Sequence, residues 1–349
     1  MTTPGPYIAL ALQTTCFAVN DAADAAASRP RMAASIARIA DQIGASKRFI
    51  GADVRLVVLP EYFLTGFPMS EAAAAVWAEK AALEIDGPEY QALGAVARAA
   101  DVFLSGNAYE RDPNFPGLYF QTSFLIEPSG KLVLRYRRLV SLFAPSPYDV
   151  WDKYVGIYGL EGVFPVADTE LGRIAAIASE EILYPDIARA LTLRGAEVLL
   201  HSSSEIATAL PSPKNIAKQA RAIENLAYVV SANSAGIEGI AIPKASTDGS
   251  SKIIDYRGLV LAEAGYGESM AAYAEIDIAG LRRYRRRPGM GNILSRQPLD
   301  LWRDALEGRD IQSRGTLTGA DGQTLTPDRS FYAERQRRAI ERLSDKGII

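Results

Sequence analysis

The chain has 349 residues, of which 48% are apolar, so it can bury the core of one large domain or of two ordinary ones. Its formal net charge of -3 comes from 38 basic and 41 acidic residues, a balance that gives no overall field for attracting nucleic acid or anionic lipid. The only cysteine, Cys16, excludes intramolecular disulfides and thiolate metal clusters and favours a cytoplasmic location. We expect no cofactor, metal, nucleic-acid or membrane partner.

The stretch IALALQTTCFAV near the start of the chain is the only candidate for a secretory signal. It lacks a basic leading region and carries three polar residues, so we interpret it as a first strand. No uninterrupted apolar run reaches the roughly 18 residues that are needed to span a bilayer. These features favour a soluble protein.

Short apolar runs alternate with longer stretches of helical period, a pattern typical of helices that cover the outer faces of sheets. The predicted strands are, in chain order, 7–13, 55–59, 102–108, 120–127, 131–136, 173–178, 197–200, 227–232, 251–255, 259–264 and 272–277. The predicted helices are 31–51, 90–100, 185–194 and 214–225. The alternation predicts an α/β fold.

The composition changes near residue 282, where the basic run RRYRRR precedes a Pro-Gly pair and a mostly polar tail. We therefore divide the chain into a domain, 1–281, and a C-terminal extension, 282–349. Clustered guanidinium groups can neutralise several phosphates, so one interpretation of the run is a phosphate-binding patch. The alternative is an arm that is solvated, packs on the domain or bridges subunits.

Three predicted strands end in polar residues of distinct chemistry. Glu61 follows the apolar strand 55–59, and a carboxylate at such a strand end lies at the rim of the sheet, where partial desolvation suits it to general base catalysis. The alternative is a solvated loop glutamate. Arg138 follows the strand 131–136, and Ser179 follows the strand 173–178.

Four segments, LVVLPEYFLTG, GKLVLRYRRLVSLF, GRIAAIASEEILYPD and ARAIENLAYVVSANSAG, resemble the nitrilase, or carbon–nitrogen hydrolase, superfamily in their order and spacing. The resemblance covers about residues 7 to 281. It implies a four-layer α-β-β-α sandwich with two mixed sheets packed face to face, and a homodimer or higher homo-oligomer. It also implies cleavage of nitriles, amides or carbamoyl groups by a Glu, a Lys and a Cys that meet in one pocket.

Only the glutamate of that catalytic set is retained, as Glu61. Arg138 stands at the Lys position, where a guanidinium can steady an oxyanion but cannot shuttle a proton; alternatively, Arg138 forms a structural ion pair with Glu61. Ser179 stands at the Cys position, and a hydroxyl needs a base that a partly ionised thiol does not. An engineered Cys-to-Ser change would leave Arg138 unexplained.

A third departure falls in the segment after Arg138. Many members of the superfamily carry a second pocket glutamate about eight residues after the Lys, and that position is Ser146 here. Asp149 and Asp152 are nearby alternatives. Each departure removes a group that standard amide hydrolysis uses.

The only histidine, His201, follows the strand 197–200, in a segment that lines the substrate pocket in the superfamily. If Ser179 is active, His201 is the only imidazole available to it, and Glu61 or Glu181 would complete a serine-hydrolase-like set. The alternative is a histidine that only lines the pocket or is satisfied at its rim. The predicted ligand contacts are Tyr62, Glu180, Glu181, His201 and Ser202.

Two classes of function follow from these residues. The first is an enzyme of altered chemistry acting on a small amide, ester or carbamoyl compound, with Glu61 as base, Ser179 as nucleophile or water-positioning group, and Arg138 at the oxyanion. The second is a catalytically inactive relative that binds a small molecule or an assembly partner. Cysteine-dependent turnover is the outcome least expected.

Overall fold

The computed structural model describes residues 4–69, 74–206 and 212–349. Its strands are β1 (Tyr7–Ala11), β2 (Cys16–Phe17), β3 (Val54–Val58), β4 (Leu83–Glu84), β5 (Phe103–Arg111), β6 (Tyr119–Ile126), β7 (Leu132–Arg137), β8 (Ala167–Thr169), β9 (Gly172–Ala178), β10 (Val198–Ser202), β11 (Tyr228–Ala232), β12 (Ile237–Glu238), β13 (Lys252–Ile254), β14 (Val260–Glu263) and β15 (Tyr273–Ile276). Its α-helices are α1 (Ala25–Ile50), α2 (Ala74–Ala81), α3 (Pro88–Ala100), α4 (Trp151–Val163), α5 (Pro185–Leu193), α6 (Pro213–Asn225), α7 (Ile278–Arg286), α8 (Leu299–Leu306) and α9 (Arg329–Asp345).

Most strands belong to two mixed sheets. The first sheet has the order β15-β1-β3-β5-β6-β7, with β4 paired to β5, and the second has the order β14-β13-β11-β10-β9-β8. Strands β1, β3 and β5 run parallel, as do β9, β10 and β11, so the carboxyl ends of each set lie at one edge of its sheet. Polar residues after these strands therefore come close together.

The two sheets pack face to face and helices cover their outer faces. Ala9 and Leu56 of the first sheet share one buried cluster with Ile174 and Val198 of the second. Their strand neighbours Leu10 and Val57 point the other way and pack with α1 and α3, because successive side chains of a strand alternate between its faces. Helices α5 and α6 cover the second sheet. This is the four-layer α-β-β-α arrangement, and the predicted fold class is confirmed.

The predicted division of the chain at residue 281 falls inside helix α7, which begins after its N-cap Asp277. Two arginines of the basic run form hydrogen bonds with residues of the domain. Arg282 donates to Glu197 at 2.6 and 3.0 Å, and Arg285 donates to the Ala196 carbonyl at 2.7 Å. These contacts join the basic run to the domain, because they satisfy the Glu197 carboxylate and the Ala196 carbonyl, which directly precede β10.

The rest of the extension packs back on the domain through helix α9. Arg335 of α9 lies 2.5 Å from a carboxylate oxygen of the fully buried Asp149 and donates to the Ser141 carbonyl at 2.7 Å. Asp149 also accepts hydrogen bonds from the backbone and hydroxyl of Ser146, both at 2.9 Å. The C-terminal helix thereby holds the segment 141–149 in place.

Removing this tether should destabilise the protein. In Arg335→Ala, Asp149 keeps the donors of Ser146 but loses its cationic partner, so we expect a loss of about 2 kcal/mol in the free energy of unfolding. Urea unfolding measures the loss. The matched control is Arg338→Ala, whose exposed pair with Glu334 should contribute less than about 0.5 kcal/mol. Equal unfolding midpoints for the two variants would contradict the tether.

Candidate active site

The carboxyl ends of β3, β7 and β9 meet at a cavity of about 240 Å³. Five of the residues singled out from the sequence line it: Glu61, Tyr62, Arg138, Ser179 and Glu180. A groove of about 450 Å³ is larger, but the described residues that line it, Phe17, Arg31 and Arg38 among them, do not come from these strand ends. The smaller cavity is therefore the candidate site.

Glu61 is held at the cavity wall by both sheets. Its side chain is almost entirely buried, and its carboxylate accepts hydrogen bonds from the Ser204 backbone at 3.1 Å and from the Gln121 amide at 2.5 Å. The nearest Arg138 nitrogen lies 3.6 Å from the same carboxylate. Buried anions need such partners, so this arrangement fixes Glu61 as an oriented, ion-paired carboxylate.

Arg138 spreads its donors over three acceptors. Its Nε donates to the Val140 carbonyl at 2.7 Å and one terminal nitrogen donates to the Gln121 side chain at 2.6 Å, while the other pairs with Glu180. Burial alone would lower the pKa of Arg138, but Tyr62, Glu61 and Glu180 outweigh it and raise that pKa above its usual range. The guanidinium stays cationic and does not close as a fork on Glu61.

Gln121, on β6, is a site residue that the sequence analysis missed. Its amide bridges Glu61 and Arg138, and it also donates to Asn107 at 3.1 Å. The feature that could have pointed to Gln121 is that it is the one amide side chain in the strand YFQTSFLI, whose residues are all buried. A buried amide must find partners, which marks this position as part of a polar network.

Ser179 lies at the turn where β9 ends and a 3₁₀ helix, Ser179–Leu183, begins. Its φ of 48° is in the left-handed region, which non-glycine residues rarely adopt, and Tyr62 has a φ of 60°. Such backbone strain clusters at active sites, because it holds a side chain where regular structure would not. The Ser179 hydroxyl lies 3.3 Å from Lys214 of α6, a second residue that the sequence analysis did not select.

Glu181, predicted as a ligand contact, is instead fully buried beneath the site. One of its oxygens accepts from the backbones of Leu139 and Val140, at 2.7 and 2.9 Å, and the other accepts from the Tyr136 hydroxyl at 2.8 Å. Burial raises the pKa of Glu181. Its carboxylate ties the segment after β7 to the turn after β9 and does not reach the cavity.

His201 and Ser202 are also placed behind the cavity wall. The fully buried ring of His201 lies 2.8 Å from the Ser231 hydroxyl and 2.8 Å from the backbone oxygen of Ser179, so it contacts the backbone of Ser179 and not its hydroxyl. The Ser202 hydroxyl donates to the Leu59 carbonyl at 2.7 Å. The structure does not assemble the serine-hydrolase-like set around His201.

The burial of His201 predicts a pH dependence of stability. Burial first, and the charge of Lys218 second, lower the pKa of His201 to about 3. Below about pH 6.5 the imidazole of the unfolded chain binds a proton, whereas that of the folded chain stays neutral. The contribution of His201 to the free energy of unfolding is therefore complete above pH 6.5 and is lost as the pH falls toward 3. Between pH 7 and 5, the free energy of unfolding should fall less steeply with decreasing pH in His201→Asn than in the unchanged chain. We expect the two slopes to differ by roughly 1 kcal/mol per pH unit.

Urea unfolding across that pH range measures the slope. The matched control is Ser231→Ala, which removes one ring partner but keeps the imidazole and should keep the steep slope. A slope in His201→Asn equal to that of the unchanged chain would contradict the neutral, buried ring.

The remaining candidates do not reach the cavity lining. Asp149 is the buried carboxylate bonded to Ser146 and Arg335, and Asp152 is exposed on α4. Cys16 is fully buried, its sulfur lies 3.6 Å from the Glu61 carbonyl, and burial raises its pKa. A buried, protonated thiol is unreactive, so Cys16 does not take the position vacated at Ser179.

Two features concern metals and membranes. Within 4–69, 74–206 and 212–349, no cluster of three or more His, Cys, Asp or Glu side chains has the geometry to hold a metal ion. Across the same residues, no helix has both the length and the apolar character that crossing a bilayer requires.

Sequence and structure comparisons agree with this fold. The carbon-nitrogen hydrolase family model matches residues 12–286, so the chain belongs to the carbon–nitrogen hydrolase family. Curated relatives named formamidase, from Bacillus thuringiensis (strain Al Hakam) and Bacillus anthracis, are 27% identical over 189 residues, which is 54% of this chain and 52% of theirs. The chain thus spans about half the length of the curated relatives it matches.

Solved structures with similar folds come from the same superfamily. Saccharomyces cerevisiae Nit3, a member of branch 10 of the nitrilase superfamily, aligns with a TM-score of 0.63 and 21% identity over 81% of this chain and 94% of its own. A carbon-nitrogen hydrolase from Helicobacter pylori G27 aligns with a TM-score of 0.62 and 20% identity over 86% and 98%. A cysteine-to-serine mutant of the Nesterenkonia AN1 amidase aligns with a TM-score of 0.59 and 17% identity over 86% and 98%. At these identities, the likeness concerns the fold alone.

Proposed function

We propose that this chain binds a small amide, carbamoyl or ester compound in the strand-end cavity and hydrolyses it through Ser179. The observation that carries the proposal is the convergence of Glu61, Arg138 and Ser179 on one cavity of about 240 Å³. That volume suits a ligand of few heavy atoms, since pockets for larger ligands usually exceed about 300 Å³. The relatives named formamidase support a small amide.

Each of the three residues has a distinct role in this proposal. The Ser179 hydroxyl attacks the carbonyl carbon, and the Arg138 guanidinium stabilises the negative charge that develops on the carbonyl oxygen. Glu61, oriented by Gln121 and the Ser204 backbone, takes a proton from the water that attacks the acyl-serine, and that proton passes to the Ser179 oxygen as its bond to the acyl carbon breaks. The products are a carboxylic acid and an amine or alcohol.

A second candidate function is binding without turnover. It is favoured by the engagement of Arg138, whose three donor groups already have protein partners in Val140, Gln121 and Glu180. Stabilising an oxyanion would require one of these contacts to be shared or exchanged. In that case the protein is an inactive relative that retains its ligand cavity.

A screen of small amides, nitriles and activated esters separates the two functions. Turnover and thermal stabilisation are measured for the unchanged chain, for Ser179→Ala, and for the control Ser129→Ala in an exposed hairpin. Turnover that Ser179→Ala alone loses supports the hydrolase, whereas stabilisation without turnover supports the binding protein. Turnover that persists in Ser179→Ala, or the absence of both responses, would contradict the proposal.

A further inference from the structure

The Ser179 hydroxyl has a basic partner that belongs to none of the cavity-lining strand ends. Within the part of the chain that the structure describes, the Lys214 side chain donates a hydrogen bond from Nζ to Oγ, with 3.3 Å between the two atoms. The Glu61 carboxylate is directed instead to Gln121, Ser204 and Arg138. A serine nucleophile needs an adjacent base within hydrogen-bond reach, and Lys214 meets that requirement.

Helix α6 holds Lys214 in this position by contacts with the serine turn itself. Arg221 of α6 donates from Nε to the carbonyl of Ile182, within the 3₁₀ helix that Ser179 begins, at 2.8 Å. The fully buried Lys218 pairs with Glu205, which follows β10. The start of the helix is capped by Ser212, whose hydroxyl accepts from the Asn215 backbone at 3.2 Å. Lys214 therefore projects from a fixed element.

We infer that Lys214 is the general base that activates Ser179 in the hydrolysis proposed above, on which this inference rests. The step requires Lys214 as the free amine, whose Nζ takes the hydroxyl proton as the bond between Oγ and the carbonyl carbon forms and the carbonyl π electrons move to oxygen. The resulting ammonium gives that proton to the leaving nitrogen or oxygen as its bond to carbon breaks. Serine–lysine pairs are an established variant of nucleophile activation.

The chemistry of the site makes this division of roles consistent. A serine in place of a thiol needs a base at the moment of attack, and Arg138 cannot serve because a guanidinium holds its proton. His201 contacts the backbone oxygen of Ser179 instead of the hydroxyl. Glu61, Arg138 and Glu180 line the cavity with Ser179, while Lys218, Glu205 and Lys252 form the charged group beside α6.

The test is the rate at which a small alkyl fluorophosphonate labels Ser179 between pH 6 and 10, followed by peptide mass mapping. In this reaction Oγ bonds to phosphorus and fluoride leaves, so no turnover of a carbon–nitrogen substrate is needed. We expect the rate to rise with pH and to fall at least tenfold in Lys214→Gln and in Lys214→Arg, since general base catalysis contributes about 10²- to 10⁴-fold. Arginine keeps the positive charge but cannot accept the proton.

The matched control is Lys244→Arg, at an exposed lysine that pairs with Glu238, and it should label at the unchanged rate. Unfolding midpoints confirm that each variant is folded. Labelling of Ser179 in Lys214→Arg at the unchanged rate, or no labelling in the unchanged chain, would overturn the role of Lys214. If Lys214→Arg labels at the unchanged rate while turnover still depends on Ser179, the hydrolysis stands but Lys214 is not its base. If labelling depends on Lys214 but no amide or ester is turned over, Lys214 activates Ser179 but the proposed hydrolysis does not occur.

Discussion

Replacing Ser179 by cysteine is expected to create one fast-reacting thiol in a protein that otherwise has none. The native thiol, Cys16, is fully buried and its pKa is raised by burial, so iodoacetamide should leave the unchanged chain unmodified under native conditions. A thiol at position 179 would face the cavity that Arg138 also lines, and the nearby guanidinium, which stays cationic, favours the thiolate. Intact-protein mass spectrometry measures the alkylation rate.

The informative comparison is with an ordinary exposed thiol. Ser129→Cys, in the hairpin turn between β6 and β7, provides one on the same protein. At pH 6 we expect Ser179→Cys to react at least tenfold faster than Ser129→Cys, because a thiolate stabilised by the Arg138 guanidinium persists where a normal thiol is protonated. Equal rates would show that position 179 does not lie in a cationic cavity.

Removing the Arg138 side chain is expected to damage both stability and turnover. Arg138→Ala leaves the buried Glu61 carboxylate without its nearest cation, so we expect a loss of about 3 kcal/mol in the free energy of unfolding. Loss of an oxyanion donor typically lowers the rate by about 10²- to 10³-fold, and kcat should fall by that factor. Urea unfolding and ester hydrolysis measure the two effects.

Two variants sharpen this prediction. Arg138→Lys keeps the charge but cannot reach Val140, Gln121 and Glu180 together, so its stability should lie between those of Arg138→Ala and the unchanged chain. Arg111→Ala removes a half-exposed pair with Glu84 and should cost less than about 1 kcal/mol, with no change in turnover. If Arg138→Ala is as stable and as active as Arg111→Ala, Arg138 contributes to neither stability nor turnover.

The α/β class and the strand-end positions of Glu61, Arg138 and Ser179 could be predicted from local patterns, whereas the four-layer arrangement was implied by the family resemblance. The strands that precede Glu61, Arg138 and Ser179 place these side chains at sheet edges, and the structure brings them to one cavity. Tyr62 and Glu180 follow from the same reasoning, as immediate neighbours of strand-end residues.

The directions of other side chains could not be predicted from position along the chain. Glu181, His201 and Ser202 also lie at strand ends, but tertiary hydrogen bonds with Tyr136, Ser231 and Leu59 direct them away from the cavity. Gln121 and Lys214 are the opposite case, because neither lies at a strand end and yet both contact site residues. Gln121 lies inside a strand and Lys214 at the start of a helix, and only the assembled fold brings them to the site.

The C-terminal region shows the same limit of local patterns. Its basic composition and the Pro-Gly pair after Arg287 indicate a boundary, yet helix α7 crosses residue 281 and its arginines bond to the second sheet's surroundings. The contact of Arg335 with Asp149 joins residues 186 positions apart in sequence, a separation at which no local pattern carries information.

If Ser179 is the nucleophile, an acyl group must form on its hydroxyl oxygen before the substrate is hydrolysed. Mixing the protein with a small activated ester, quenching with acid within the first turnover and mapping peptides by mass spectrometry would locate the acyl group. We expect one acyl group on Ser179, absent from Ser179→Ala and reduced in Lys214→Arg. An acyl group on another residue, or ester hydrolysis that Ser179→Ala leaves intact, would contradict it.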